Sequence, residues 1–228
     1  MKFFLIILLL ANALMFNGCG ESLSTLAYNN ISEIQRDILV GSSQEINAKL
    51  VIGSREVTYK KDGYSTSKIP YAILSFSCEN GEGIEADKCT LMCGKNVYEG
   101  DLQVNPFLSE VLVDLGEVQL DNVVVATIYL ADKGIDIALL SIMEDLEVSG
   151  LDALDIILEN DKGAIKGLKK GGDFLGEIYI RVLGEVTRNS DNLNWGITVL
   201  TRKGERLNYV VSSVTGEILL TWKGNNIY

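Results

Sequence analysis

The sequence predicts a mainly β protein in two parts, an antiparallel β-sandwich followed by a small α+β domain in which one helix covers an antiparallel meander. Three observations support this prediction. Residues 37–142 contain many short apolar runs separated by turns that carry Gly and Asn, with no helical period over ten residues or more. Residues 149–163 carry a single amphipathic helical pattern. Strands with tight Gly turns then return between residues 176 and 223.

Residues 1–18 are predicted to be a signal peptide. Lys2 precedes an apolar run of fourteen residues, Phe3 to Phe16, which is shorter than the about 20 residues of a membrane span but suits the core of an export signal. Cys19 follows Gly18, as at the cleavage site of a bacterial lipoprotein, where the cysteine thiol carries the lipid. We expect an extracytoplasmic protein that is anchored through Cys19. The alternatives are an ordinary signal with a secreted product, or an uncleaved anchor.

Residues 19–36 are expected to be a polar tether or a short helix, and residues 37–147 the first domain. In this domain the stretch from Pro70 to Cys78 alternates in polarity, and further apolar runs follow at short spacings. Short strands separated by frequent turn signals favour an immunoglobulin-like antiparallel β-sandwich.

The second domain, residues 148–228, is expected to begin with a helix. Ser149 is a candidate N-cap with Asp152 three residues on, which forms a capping box. Gly163 is placed to end the helix in a left-handed conformation. The predicted buried face of the helix consists of Leu151, Leu154, Ile157 and Leu158. We expect this helix to pack on the following meander as a body separate from the first domain.

The turns of the meander contain Gly204 and Gly216, which supply the positive φ that tight connections need. The order of helix, strands, "GERLNYVV" and "TGEIL" over residues 149–223 resembles the PepSY domain. The residues that match its closing stretch are Val211, Thr215, Gly216, Glu217, Ile218 and Leu219. Ser212 stands where that family usually has Asp. The resemblance implies a domain that binds or restrains peptidases in the cell envelope and has no catalytic residues.

Composition excludes several functions. The chain has 31 acidic and 20 basic residues, a net charge of −11, which argues against binding to nucleic acid or to anionic lipid by charge. It contains no His, so Ser-His-Asp and Cys-His catalysis and His-bearing zinc sites are excluded. An enzyme built from this sequence would need a carboxylate, Lys or Tyr as its general base.

Three cysteines lie close together in "CENGEGIEADKCTLMC". In an exported protein we expect a disulfide between Cys78 and Cys89, because these positions mirror each other across the loop. Cys93 is then free or the alternative disulfide partner. A metal held by the three thiolates with Glu79 or Asp87 ranks below the disulfide, because the spacing is not that of a strong zinc site. We predict no metal and no cofactor.

Acidic side chains lie opposite the apolar face of the predicted helix, at Asp152, Asp155 and Glu159. The simplest interpretation is a solvated helix face. The functional one is a docking surface for a basic peptide or a divalent cation.

These observations predict an exported, lipid-anchored, non-catalytic protein that binds or regulates an unidentified protein or peptide partner of the cell envelope. The resemblance implies that this partner is a peptidase. A competing hypothesis is a carboxylate-based extracytoplasmic hydrolase with its site between the domains. The structural feature expected of such a hydrolase is a deep pocket lined by two or more buried carboxylates with shifted pKa values. A third is a structural surface protein linked through the remaining cysteine.

Overall fold

The computed structural model describes residues 21–57, 60–105, 109–131, 133–161, 163–184 and 193–224. The predicted signal peptide and Cys19 lie outside these residues. The described chain is mainly β and contains two α-helices, α1 (Leu23–Asn29) and α2 (Gly150–Asn160). Its strands are β1 (Ile31–Ser43), β2 (Ile46–Glu56), β3 (Lys68–Cys78), β4 (Lys88–Cys93), β5 (Asn96–Tyr98), β6 (Gln103–Asn105), β7 (Glu110–Asp114), β8 (Val124–Leu130), β9 (Lys133–Ser141), β10 (Lys169–Lys170), β11 (Asp173–Phe174), β12 (Gly176–Leu183), β13 (Asn194–Thr201), β14 (Arg206–Ser212) and β15 (Ile218–Lys223). Short 3₁₀ turns cover Met143–Asp145 and Lys166–Leu168.

Thirteen of the strands form one large, curled and mostly antiparallel sheet, and β10 and β11 form a separate ribbon. The main order is β15-β14-β13-β12-β1-β2-β3-β7-β6. A side arm runs from β1 through β9, β8 and β4 to β5. Among the described residues, no helix combines the length and the apolar character that crossing a bilayer requires.

Strand β1 joins the two halves of the molecule. One of its edges pairs with β2. Its other edge pairs first with β12, in parallel, between residues 31–34 and 178–180. Beyond that point the same edge pairs with β9 at Leu39 and Val40. The prediction that residues 149–223 form a body with its own sheet is therefore wrong, because β12 extends the sheet of the first half. Sequence patterns miss such a pairing, since its partners are far apart along the chain.

Two large cores lie on either side of this shared strand. The first is enclosed by the curled part of the sheet and includes Leu50, Phe76 and Leu91. The second lies between the meander and the two helices and includes Leu154 and Trp195. The boundary predicted at residues 147–148 does not separate the two cores, because Leu26, Ile31 and Ile34 belong to the second one.

Residues 21–36 are part of the fold, so the tether interpretation is wrong, whereas a short helix is present. The Ser22 hydroxyl caps α1 by accepting from the Thr25 amide at 3.0 Å. Leu26 is buried in the second core, and so are Ile31 and Ile34 at the start of β1. The physical reason is that the apolar residues scattered among the polar ones in this segment all reach the same core.

Helix α2 begins as predicted, because Ser149 is its N-cap and forms the capping box with Asp152. Its end differs: the helix stops at Asn160, and Gly163 is not among the residues with positive φ. Asp161 closes the turn instead, since its Oδ1 accepts from the amides of Gly163 and Ala164. On the predicted apolar face Leu151 is 41% exposed.

The predicted turns of the meander are confirmed, with φ of +81° at Gly204 and +72° at Gly216.

Candidate functional site

Cys78, Cys89 and Cys93 are all free thiols in the structure. The structure therefore does not contain the predicted disulfide between Cys78 and Cys89. Its premise was that β3 and β4 face each other across the loop. Instead β3 pairs with β2 and β7, whereas β4 pairs with β5 and β8. Cys89 and Cys93 point into the first core from β4 and pack there as small apolar residues. Burial, with a smaller contribution from Glu99, raises the pKa of Cys89 to about 11.

The predicted acidic docking surface is partly committed to internal contacts. Asp152 accepts from the Ser149 amide and hydroxyl at the start of α2, and these bonds lower its pKa. Asp155 accepts a hydrogen bond from the Tyr28 hydroxyl and so connects the two helices. Glu159 lies exposed near the end of α2. In the described part of the chain, no group of three or more Cys, Asp or Glu side chains is arranged to hold a metal ion.

A groove of about 730 Å³ opens between the two cores, on the side of the sheet that carries the helices. Its apolar lining comes from Ile31, Ile34, Ile69, Pro70, Met143, Leu151 and Trp195. The exposed Leu151 and Ile69, at 41% and 43%, therefore face a concave surface rather than open solvent. A groove of this volume is in the range of ligand-binding sites.

The start of α2 forms one wall of the groove and depends on a glycine. The Trp195 indole donates to the Val148 carbonyl at 2.7 Å, which fixes the entry of the helix. A Cβ at Gly150 would lie 2.9 Å from Ile180 and 3.0 Å from Trp195. Only glycine therefore lets the helix approach the sheet this closely.

The groove carries positive charge in a protein that is acidic overall. Arg36 and Lys68 line it, and Glu117 is the only carboxylate among the described residues that do so. Neither cation forms an ion pair with a residue that the structure describes. Burial lowers the pKa of Lys68, and the nearby Arg36 lowers it further, although Glu56 opposes them. The cations would therefore favour an anionic group on a ligand.

Buried carboxylates lie under the loop between β2 and β3. Glu56 is 2% exposed and Glu177 is fully buried. The Ser32 hydroxyl lies 2.9 Å from Glu56 Oε1 and 3.4 Å from Glu177 Oε2. The loop amide of Thr66 donates to Glu56 at 2.6 Å. These hydrogen bonds hold the loop against the junction of β1 and β12.

Glu177 receives further donors, from the Tyr179 hydroxyl at 2.6 Å and from the backbone of Gly63. Burial raises its pKa, and the charges of Glu56 and Asp62 add to that rise, whereas the two hydrogen bonds oppose it. Its carboxylate oxygens are thus occupied by protein donors. This arrangement suits a structural acceptor better than a general base.

Glu33 is buried beside this pair and forms an ion pair with Arg181 at 2.5 Å. Burial, followed by the charge of Glu33, raises the pKa of Tyr71. Arg55 stacks over the Tyr71 ring at 5.1 Å and pairs with Asp114. Glu33, Arg55, Tyr71 and Arg181 line an open groove of about 710 Å³.

Of these features, the sequence patterns indicate Ser149 and Leu151, which line the first groove, and the nearby Asp152. They indicate none of the buried carboxylates. The cations and the Glu residues carry no motif, and their neighbours come from segments far apart in the chain. Comparison with protein-family models, curated proteins and solved structures finds no match to this chain.

Proposed function

We propose that the protein is an exported, lipid-anchored, non-catalytic binding protein of the cell envelope, which takes a segment of a protein or peptide partner into the groove between its two cores. The single observation that carries the proposal is that groove, with its apolar lining and its two cations, which form no ion pair with any described residue. An apolar concave surface with a few charged groups at defined positions is typical of a recognition site.

The lining indicates the chemistry of the bound segment. Apolar side chains of the partner would pack on Ile69, Pro70 and Trp195. An acidic side chain or a terminal carboxylate would face Arg36 and Lys68. Glu159 is exposed near the other end of α2 and would be available to a basic residue of the same partner. The binding free energy would come mainly from buried apolar area, and the charges would set orientation.

Export and anchoring through Cys19 remain part of the proposal and rest on the leader sequence. The resemblance of residues 149–223 to the PepSY domain supports a peptidase as the partner. The order of α2 followed by the four strands β12 to β15 supports the resemblance. The pairing of β12 with β1 departs from the free-standing unit that the resemblance implies.

We also propose that residues 37–147 are an immunoglobulin-like sandwich. Two groups of strands around the first core support this, namely β1, β2, β3, β7 and β6 on one side and β9, β8, β4 and β5 on the other. An experimental structure of the chain would test it, because a sandwich requires two distinct sheets that pack face to face.

A binding role is preferred to the hydrolase because of the state of the buried carboxylates. Glu56 and Glu177 accept hydrogen bonds from the loop and from neighbouring hydroxyls, and Glu33 is paired with Arg181. A general base needs an oxygen that can reach the substrate. Here the donors of the protein itself already occupy the oxygens.

Site-specific photocrosslinking in the native host tests the proposal. A photoreactive amino acid replaces Ile69 in the groove or, as a control, Val123, which is 57% exposed outside it. We expect a discrete adduct from position 69 and none from position 123. The double variant Arg36→Glu, Lys68→Glu should weaken the adduct about tenfold or more.

The matched control for the charge reversal is Lys95→Glu, at an exposed position outside the groove. It should leave the adduct unchanged. Equal adducts from positions 69 and 123, or no effect of reversing the two groove cations, would contradict the proposed site. Separately, Cys19→Ala should release the protein from the membrane fraction if the anchor is correct.

A further inference from the structure

A third and smaller concave site, here called the hollow, lies on the face of the meander opposite the helices. It has a volume of about 50 Å³ and is lined by Lys61, Tyr179, Leu183, Thr198, Asn208 and Trp222, among others. Thr198 and Asn208 are paired across β13 and β14, and the neighbouring Tyr209 points into the second core. Since side chains alternate along a strand, Asn208 points away from the helices. The hollow is thus separate from the groove proposed above.

Asn208 lines this hollow with a buried side-chain amide that is only partly hydrogen-bonded. Its side chain is 2% exposed. The Thr198 hydroxyl donates to its Oδ1 at 2.9 Å, which directs the amide nitrogen away from Thr198. That nitrogen, Nδ2, is buried and has no hydrogen-bond partner among the described residues. A buried donor without an acceptor destabilises the fold, so its presence beside a hollow points to an acceptor that binds there.

The electrostatic surroundings favour an anionic acceptor. Lys61 of the loop between β2 and β3 lines the hollow, with its ammonium 5.8 Å from the centre of the Tyr179 ring. Burial lowers the pKa of Lys61, and the charges of Arg181 and Arg206 lower it further, whereas those of Glu33 and Glu177 oppose them. The Lys61 ammonium at the wall of the hollow would attract a negatively charged acceptor that binds beside Asn208.

The volume limits the size of the bound group. One water needs about 10–15 Å³ by the same measure. The hollow therefore has room for about four heavy atoms, the size of a carboxylate with the carbon that carries it. Leu183 and Trp222 provide apolar contacts for that carbon.

We propose that this hollow binds a carboxylate, with one oxygen accepting from Asn208 Nδ2 and the negative charge facing Lys61. The carboxylate belongs to a small organic acid, to an acidic side chain or to the C-terminus of a peptide, which share this chemistry. The proposal does not depend on the function proposed for the groove, because the two sites lie on opposite faces of the sheet.

Titration of the ¹⁵N-labelled mature protein with acetate, observed through the side-chain amide signals of Asn208, tests the proposal. We expect saturable shifts of these signals and of the Trp222 indole. Lys61→Ala should weaken acetate binding about tenfold or more. The charge-matched control Lys95→Ala, at an exposed site outside the hollow, should bind acetate as the parent does.

The isosteric variant Asn208→Asp provides the sharpest comparison. It retains the acceptor for Thr198 but places a negative charge where the ligand would bind. We expect it to fold, which its amide spectrum verifies, and to lose the acetate response. Parallel titrations with acetyl-Ala-Ala and with acetyl-Asp-amide distinguish a terminal from a side-chain carboxylate. Absence of saturable binding for all three probes, or equal binding by Asn208→Asp, overturns the proposal.

Discussion

At the scale of single residues, buried and half-buried carboxylates of this protein serve as hydrogen-bond acceptors for neighbouring segments. Glu56 and Glu177 accept from the loop between β2 and β3. Asp155 connects α2 to α1 through Tyr28. Asp161 accepts from Tyr209 and from two amides after α2. Because each acceptor satisfies donors that folding has removed from water, losing one leaves unpaired groups in the interior.

Asp161→Ala is expected to lower the free energy of unfolding by about 1–3 kcal/mol, because it leaves the buried Tyr209 hydroxyl without an acceptor. Asp161→Asn should cost less, since one amide oxygen remains. Urea unfolding measures both. Asp101→Ala, at an exposed loop position, is the control and should have no effect. Equal midpoints for Asp161→Ala and the parent would contradict this role.

Asp161 should also make the free energy of unfolding depend on pH. Although burial raises the pKa of Asp161, the hydrogen bonds from Tyr209, Ala164 and Gly163 outweigh it and bring the value below the ordinary 3.8. Because the pKa is lower in the folded than in the unfolded state, the charged Asp161 stabilises the fold fully above pH 3.8. This stabilisation is lost as the pH falls through the lower, folded-state pKa. The stability difference between parent and Asp161→Asn should therefore shrink below about pH 4.

The thiols of Cys89 and Cys93 should be nearly inert in the folded protein. With a pKa of about 11, roughly one Cys89 thiol in a thousand is ionised at pH 8, and the side chain is buried as well. Alkylation followed by peptide mass spectrometry should label the partly buried Cys78 first and Cys89 only on unfolding. Fast labelling of Cys89 in the native state would contradict its burial. Loss of two thiols in urea, restored by a reductant, would instead support the predicted disulfide.

At the scale of elements, the sequence predicts the helix and the turns that are specified by residues close together in the chain. The capping box at Ser149 and Asp152, the apolar stripe of α2 and the Gly turns of the meander each depend on residues a few positions apart. A short helix before residue 36 is one of two predicted alternatives, but its packing and the first part of β1 are not predicted. The reason is that Leu26, Ile31 and Ile34 are buried by residues far away in the sequence. The groove is missed for the same reason, since its lining extends from Tyr28 to Trp195.

The first residue of α2 gives a prediction at this scale. Gly150→Ala should destabilise the protein, because its Cβ would lie 2.9 Å from Ile180 and 3.0 Å from Trp195. The contact outweighs the better helix propensity of Ala, which is worth at most about 1 kcal/mol. Gly167→Ala, where no atom lies within 4 Å of the new Cβ, should be neutral or slightly stabilising. Thermal unfolding that ranks the two variants in the opposite order would contradict this packing.

At the scale of the whole molecule, β1 makes the two cores dependent on each other. Its first residues give the second core Ile31 and Ile34 and the parallel edge for β12, and its later residues give the first core Leu39. A chain that begins at Asp37 should therefore lose the second core, whereas one that begins at Glu21 should keep it. Circular dichroism and the amide spectrum compare the two. A folded meander in the shorter chain would contradict the role of β1.

The shared strand also predicts that the two cores unfold together. Trp222→Phe leaves Trp195 as the only tryptophan and so as the reporter for the second core, and the reactivity of Cys89 reports on the first. We expect both probes to give the same urea midpoint, because neither core keeps its sheet edge without β1. Ile34→Asp places a charge in the second core at the β1–β12 pairing and should lower both midpoints equally. If Cys89 stays protected while the Trp195 signal changes at lower urea, the two halves are independent domains, and the groove between them would change shape when they move.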